Sequence, residues 1–118
     1  MPFDPVEDVV AAVKRGEIVL VTDDEKRENE GDLIVAAELV TDEAINFMTK
    51  IGRGLICVAL EPERLQELNL SPMATRGDGD GFGTAFMESV DARHGVTTGI
   101  SASDRANTVK ALVDDATT

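Results

Sequence analysis

The chain has 118 residues and a formal net charge of -12, with 23 acidic side chains against 11 basic ones. A length of this order suits one domain with a modest core. The charge balance excludes nucleic acid and an anionic membrane as partners, because both require clustered positive charge, and it favours solubility and cation binding. The single cysteine, Cys57, rules out an internal disulfide framework and fits a reducing compartment. The N-terminus carries no basic region followed by an apolar core, and no apolar run reaches membrane-spanning length. A cytoplasmic protein is therefore expected. Four Phe with no Trp or Tyr leave no platform for stacking bases.

Val6, Val9, Val10 and Val13 stand at i, i+3, i+4 and i+7, which predicts an amphipathic first helix. Asp4 is placed to cap it, Pro5 suits its first turn, and Gly16 follows its end. A strand is expected over residues 17–22, then a dense acidic loop, then a second strand through residue 37. Thr41, Asp42 and Glu43 open a second helix, with Ile45, Met48 and Ile51 inward and Gly52 and Gly54 at its end. The unbroken apolar run 55–60 predicts a buried strand. Glu61, Pro62 and Glu63 start a short helix through Leu68. Gly77, Gly79, Gly81 and Gly83 mark a loop, residues 84–90 read as a strand, and a final helix begins near Ser103 with Val109, Leu112 and Val113 inward. The irregular alternation predicts an α/β (α+β-like) fold, a mixed β-sheet covered by helices. No internal repeat, linker or low-complexity tract is present.

The segment Asp23-Asp24-Glu25-Lys26-Arg27-Glu28-Asn29-Glu30-Gly31-Asp32 holds six carboxylates in ten residues. Two carboxylates ~4 Å apart in water repel by about 1 kcal/mol, so such density is a cost unless solvent, Lys26, Arg27 or a metal offsets it. Carboxylate oxygens are hard ligands suited to Mg²⁺, Mn²⁺ or Ca²⁺. In an extended backbone Glu28, Glu30 and Asp32 would point one way and Arg27 the other. A shared site for all four requires an irregular loop. The plain alternative is a solvated turn between strands.

A second candidate is Gly95-Val96-Thr97-Thr98-Gly99-Ile100-Ser101-Ala102-Ser103-Asp104-Arg105-Ala106. It sets hydroxyls, glycines and an arginine at a helix start, where free N–H groups favour a phosphate; the plain alternative is capping by Ser101 or Ser103. Three other features fail as sites. His94, the only histidine, sits in a polar turn and cannot build a His-rich zinc site. Asp78-Gly79-Asp80-Gly81 lacks the later ligands of a calcium loop, since Phe82 and Ser89 stand in their places. The same loop does not give Gly-x-Gly-x-x-Gly. Cys57 reads as a small apolar filler unless its strand end faces the acidic loop.

The segment 23–33 closely resembles the signature of the 3,4-dihydroxy-2-butanone-4-phosphate synthase family of riboflavin biosynthesis. Residues 95–106 resemble that family's second signature, and Gly54-Leu55-Ile56-Cys57 matches a third segment. Order and spacing agree over nearly the whole chain. The resemblance implies a lyase that converts D-ribulose 5-phosphate into formate and 3,4-dihydroxy-2-butanone 4-phosphate. It also implies Mg²⁺ (or Mn²⁺) as cofactor and a homodimer with active sites at the interface.

Carried over by match, Glu28 is the metal ligand and also contacts substrate. Arg27 and Asp32 contact the substrate, and Asp23 and Glu30 belong to the acid/base group. Thr98 contacts the phosphate, with Thr97 as the neighbouring alternative, and Cys57 lies at the site. The family's domain continues past Thr118 with a Gly-His-x-Phe-Pro-Leu-like segment, an Arg-x-x-His-Thr-Glu segment whose histidine is the other metal ligand, and a late glutamate. Residues 1–118 are thus expected to be the N-terminal part of a single domain, incomplete in its catalytic groups. In some relatives the domain is fused to a GTP cyclohydrolase II domain. The loop at residues 77–83 is richer in Gly and Asp than the family pattern. The alternative reading is a half-domain that binds cation or sugar phosphate, or a non-catalytic interaction module.

Overall fold

The computed structural model describes residues 2–74 and 85–118. The glycine loop at residues 77–83 and Thr84, the first residue of the expected last strand, lie outside them. In chain order the elements are α1 (Val6–Lys14), β1 (Val19–Thr22), β2 (Gly31–Ile34), a 3₁₀ turn (Ala37–Leu39), α2 (Asp42–Phe47), a wide π turn (Met48–Gly52), α3 (Pro62–Glu67) and α4 (Ala102–Val113).

Helix α1 starts on Pro5, whose carbonyl accepts from the N–H groups of Asp8 and Val9 at 3.0 and 3.2 Å. Because Pro5 itself occupies the N-cap position, Asp4 stands one residue outside and makes no cap. Gly16 ends the helix with φ +83. The valine stripe is only half covered: Val9 and Val13 are half-buried, while Val6 and Val10 are 72% and 61% exposed.

β1 and β2 form an antiparallel pair with Leu20 opposite Leu33 and Thr22 opposite Gly31. They are the whole of the hydrogen-bonded sheet among the described residues. The second strand stops at Ile34, short of the expected residue 37, because the chain tightens into the 3₁₀ turn. The apolar run 55–60 belongs to no strand, and Cys57 is exposed rather than buried. Its alternation is strand-like: Ile56, Val58 and Leu60 are half-buried and the residues between them are exposed. Ile56 and Val58 pack against the core; the other face has no cover from the described residues. Of the expected strand at 84–90, the described part makes one antiparallel bridge, Pro72 to Met87, flanked by Met73 N–H donating to Phe86 O and Glu88 N–H to Ser71 O, both 2.9 Å.

Thr41 caps α2, its hydroxyl accepting from Ala44 N–H at 3.1 Å. Ile45 is 1% exposed. The expected inward Ile51 is instead 66% exposed. The reason is the π turn, in which Arg53 N–H reaches back to Met48 O at 2.9 Å: the wider i→i+5 winding rotates Ile51 off the face that Ile45 defines. The core is Val40, Ile45, Ala106 and Val109, so it joins α2 to α4. Leu112 and Val113 are half-buried beside it.

Arg64 ties α3 to the end of α4. Its Nε donates to Leu112 O at 2.9 Å and its Nη2 to Asp114 O at 2.7 Å, while Nη1 pairs with Glu67. The last carbonyls of a helix lack intrahelical partners, and a cation there also suits the helix dipole. Arg64→Ala is expected to lower stability by about 1.5–3 kcal/mol, the range for hydrogen bonds to a charged group. Urea denaturation followed by circular dichroism measures it, and a midpoint equal to that of the native chain would contradict this role.

Candidate functional site

The acidic loop leaves β1 at Thr22 and re-enters the sheet at Gly31. It is irregular, as a shared site for its charges requires. Its organiser is Asp23, which is half-buried. Oδ1 accepts from Glu30 N–H at 2.8 Å, and Oδ2 accepts from Glu28 N–H at 2.9 Å and Arg27 Nη1 at 3.1 Å. Asp24 Oδ1 takes Lys26 N–H at 2.7 Å, and Asn29 adopts φ 52, a left-handed conformation that Asn tolerates.

The backbone N–H of Glu30, then that of Glu28, and then Arg27 hold the Asp23 carboxyl below its usual range. Arg27 also forms an ion pair with Glu28. Asp23 first and the Glu28 charge second hold the guanidinium more firmly protonated than usual. Glu28 is half-buried; Arg27, Glu30 and Asp32 are exposed.

The packing around the sulfur, and after it the Asp32 charge, push the Cys57 thiol up and favour its neutral form. Cys57 also lines an open cleft of about 670 Å³. The cleft runs from the 54–60 segment past Phe86 to Gly99, Ile100 and Arg105. The cleft thus joins Cys57 to the edge of the second motif, which is distant from it in sequence. Thr97 and Thr98 are exposed beside that edge and do not line the cleft.

The second motif is a loop bound to the first turns of α4. Ser101 caps the helix, its hydroxyl accepting from Asp104 N–H at 3.0 Å. Asp104 is 4% exposed, and its Oδ2 accepts from Thr97 N–H (3.0 Å), Thr97 Oγ1 (2.7 Å) and Gly99 N–H (2.9 Å). The Thr97 hydroxyl is the leading cause, ahead of the Gly99 N–H, that holds the Asp104 carboxyl below the usual range, against the opposing effect of burial. The Thr97 hydroxyl is therefore engaged by Asp104 although Thr97, like Thr98, is exposed. Gly95 and Gly99 both have left-handed φ, +77 and +92. His94 lies exposed in a bend, as a surface turn residue does.

Asp104 is the residue that the sequence reading missed as an organiser. The usable signal was Ser101-x-x-Asp104, a Ser followed three residues later by an acid at a helix start. Among the described residues no group of three or more His, Cys, Asp or Glu is placed to hold a metal ion, and no described helix is long and apolar enough to cross a membrane.

Residues 7–118 match the family model of 3,4-dihydroxy-2-butanone 4-phosphate synthase. The riboflavin biosynthesis protein RibBA of Aquifex aeolicus is 55% identical over 113 residues, which is 94% of this chain and 28% of that protein. The 3,4-dihydroxy-2-butanone 4-phosphate synthase of Agrobacterium fabrum is 50% identical over 115 residues, 98% of this chain and 54% of that protein. A crystal structure of 3,4-dihydroxy-2-butanone 4-phosphate synthase in complex with two magnesium ions is 50% identical, with a TM-score of 0.90 over 97% of this chain and 53% of that one. The chain therefore spans between about a quarter and a half of the length of these relatives.

Two outcomes follow from the loop geometry. A methyl group on Gly99 would lie 2.5 Å from Asp91 Oδ2, whereas one on Gly95 would meet only Asn107 Nδ2 at 3.7 Å. Both substitutions incur the left-handed penalty of about 1–2 kcal/mol. Gly99→Ala should therefore destabilise the chain clearly more than Gly95→Ala, and Asp91→Ala in the Gly99→Ala background should recover the difference. Equal thermal midpoints for the two glycine variants would refute the close approach. The acidic loop should also melt in acid. Because the Asp23 pKa is lowered by folding, its contribution is fully present above the ordinary carboxylate value of 3.8 and is lost as pH falls through the folded value. Amide shifts of Glu28 and Glu30 should report that transition below pH 3.8, and a midpoint above it would contradict the assignment.

Proposed function

We propose that this chain, which belongs to the 3,4-dihydroxy-2-butanone 4-phosphate synthase family, is the N-terminal part of one such domain over residues 1–118. In this reading it carries the acidic-loop side of a lyase site that turns D-ribulose 5-phosphate into formate and 3,4-dihydroxy-2-butanone 4-phosphate. One observation supports the reading above the others. The Asp23-centred loop gathers Arg27 and Glu28 at one place. The packing around the sulfur, and after it the Asp32 charge at the loop's far end, raise the pKa of Cys57, which lines a cleft together with the edge of the second motif.

Arg27 supplies a firmly protonated fork for substrate oxygens. Asp32 accepts from sugar hydroxyls. Asp23 and Glu30 form the acid/base group: Asp23 stays ionised and fixes the Glu30 backbone, leaving the exposed Glu30 carboxylate to move protons. Cys57, kept as a neutral thiol, serves as a proton or hydrogen-bond donor beside Asp32. Thr98 is the phosphate contact, favoured over Thr97 because the Thr97 hydroxyl already donates to Asp104.

The donors in the acidic loop are carboxylate oxygens, which suit Mg²⁺ and Mn²⁺ alike. They fit as part of a shell: Glu28 would hold the cation, with further ligands from outside the described residues. When bound, the cation supplies Lewis acidity toward negative charge developing on substrate oxygens. Mg²⁺ is preferred because a related synthase was solved with two magnesium ions. A homodimer with the site at its interface and a cytoplasmic location complete the proposal, the latter supported by the single free cysteine.

The test is formate release from D-ribulose 5-phosphate with Mg²⁺, using the complete domain of which this chain is the N-terminal part and its Glu28→Ala variant. Release that Glu28→Ala reduces by at least about a hundredfold, roughly the cost of losing an electrostatic group at a reacting centre, is the expected result. Release that is equal in the variant would overturn the role of Glu28. If the complete domain releases no formate, and this chain does not bind the sugar phosphate, the lyase reading fails for these residues.

A further inference from the structure

We propose that Asp104 is a positioning residue: it holds the donors of Thr97 and Gly99 so that Thr98, between them, is presented to the phosphate monoester of the substrate. The inference rests on the reading of Thr98 as the phosphate contact. Asp104 sits in the first turn of α4, buried, and a single oxygen, Oδ2, accepts all three donors. The neighbours of Thr98 on both sides are thereby fixed by one atom. The left-handed φ of Gly99 completes the turn, and Thr98 is left exposed.

The anchor is itself held from behind. Thr108 Oγ1 donates to Asp104 O at 3.1 Å and accepts from Ala92 N–H at 3.0 Å. One helical turn along, Asn107 Nδ2 donates to Gly95 O at 2.7 Å, so the loop is tied to α4 at its start as well as at its middle. An ionised acceptor makes stronger hydrogen bonds than a neutral one. An asparagine at this place would present a weaker oxygen and an amide group with no matching acceptor. The arrangement also decides which donors an incoming anion can use. The N–H groups of Thr97 and Gly99 already face a carboxylate, so these two are taken up and the Thr98 hydroxyl between them is left to meet a phosphate. A mere helix cap would act otherwise: its loss would weaken α4 without changing the affinity of the molecules that remain folded.

The experiment uses the 118-residue chain with Asp104→Asn and, separately, Thr97→Val, which removes one of the three donors. Two readouts are taken. The first is amide hydrogen exchange at Gly99, with Val109 in the core as internal control. The second is the affinity, with Mg²⁺, for D-ribulose 5-phosphate and for phosphate-free D-ribulose. The expected result for Asp104→Asn is exchange at Gly99 faster by about tenfold or more, unchanged exchange at Val109, and at least about tenfold weaker binding of the phosphorylated sugar alone. Thr97→Val should accelerate Gly99 exchange in the same direction and to a smaller degree, which keeps the inference testable if Asp104→Asn fails to fold. Native affinity in Asp104→Asn, or equal weakening for both sugars, would overturn the positioning role, as would unchanged Gly99 exchange in Thr97→Val. A native chain that binds neither sugar, with Gly99 exchange still accelerated in the variants, would overturn the sugar-phosphate reading and support Asp104 as the anchor of the loop.

Discussion

Ala106 has no exposed surface, and the fold is organised around the contact it makes possible. A small side chain there lets α4 approach α2, with Ile45, Val40 and Val109 filling the space. At about 100° per residue, Ala106 and Val109 share one side of α4, while Asp104 and Thr108 share the opposite side. The helix therefore has two inward faces. One is apolar and joins the core. The other is polar and holds the 91–99 segment through Asp104 and Thr108. The loop that carries Thr98 is as well placed as the core is well packed, because one rigid element serves both.

The two candidate loops are built by the same device. In each, a carboxylate near the base of the loop gathers N–H groups from residues ahead of or behind it: Asp23 takes those of Glu28 and Glu30, and Asp104 those of Thr97 and Gly99. Satisfied backbone donors stabilise the ionised form, so both carboxyls stand below their ordinary range. The chain's acidic excess is thus not uniform in kind. Some carboxylates fix backbone, and their neighbours remain free to act on other molecules. Arg27 lies between the two kinds, tying Asp23 to Glu28.

Much of this was legible in the sequence. The helices stood out through period and capping chemistry, with Thr41 and Ser101 serving as the caps of α2 and α4. The early strand–loop–strand pair was legible because β-branched runs flank an unmistakably polar turn. The errors share a cause: local pattern does not state which neighbours are present. The run 55–60 has the composition of a strand covered on both faces, but only one face meets the core. Ile51 follows helical spacing, yet the π turn changes the spacing. Val6 and Val10 belong to a regular stripe, only part of which finds cover. Asp104 reads as an ordinary polar position because burial of a carboxylate depends on donors that arrive from seven and five residues upstream, with a geometry that two left-handed glycines create.

The surroundings of Cys57 set its redox character. Oxidation by peroxide and attack on electrophiles both proceed through the thiolate. Cys57 is reachable from solvent, and its packing and the Asp32 charge both favour the neutral thiol, the weaker nucleophile. The chain thus presents its only thiol at the rim of an open cleft in surroundings that disfavour the thiolate that oxidants attack.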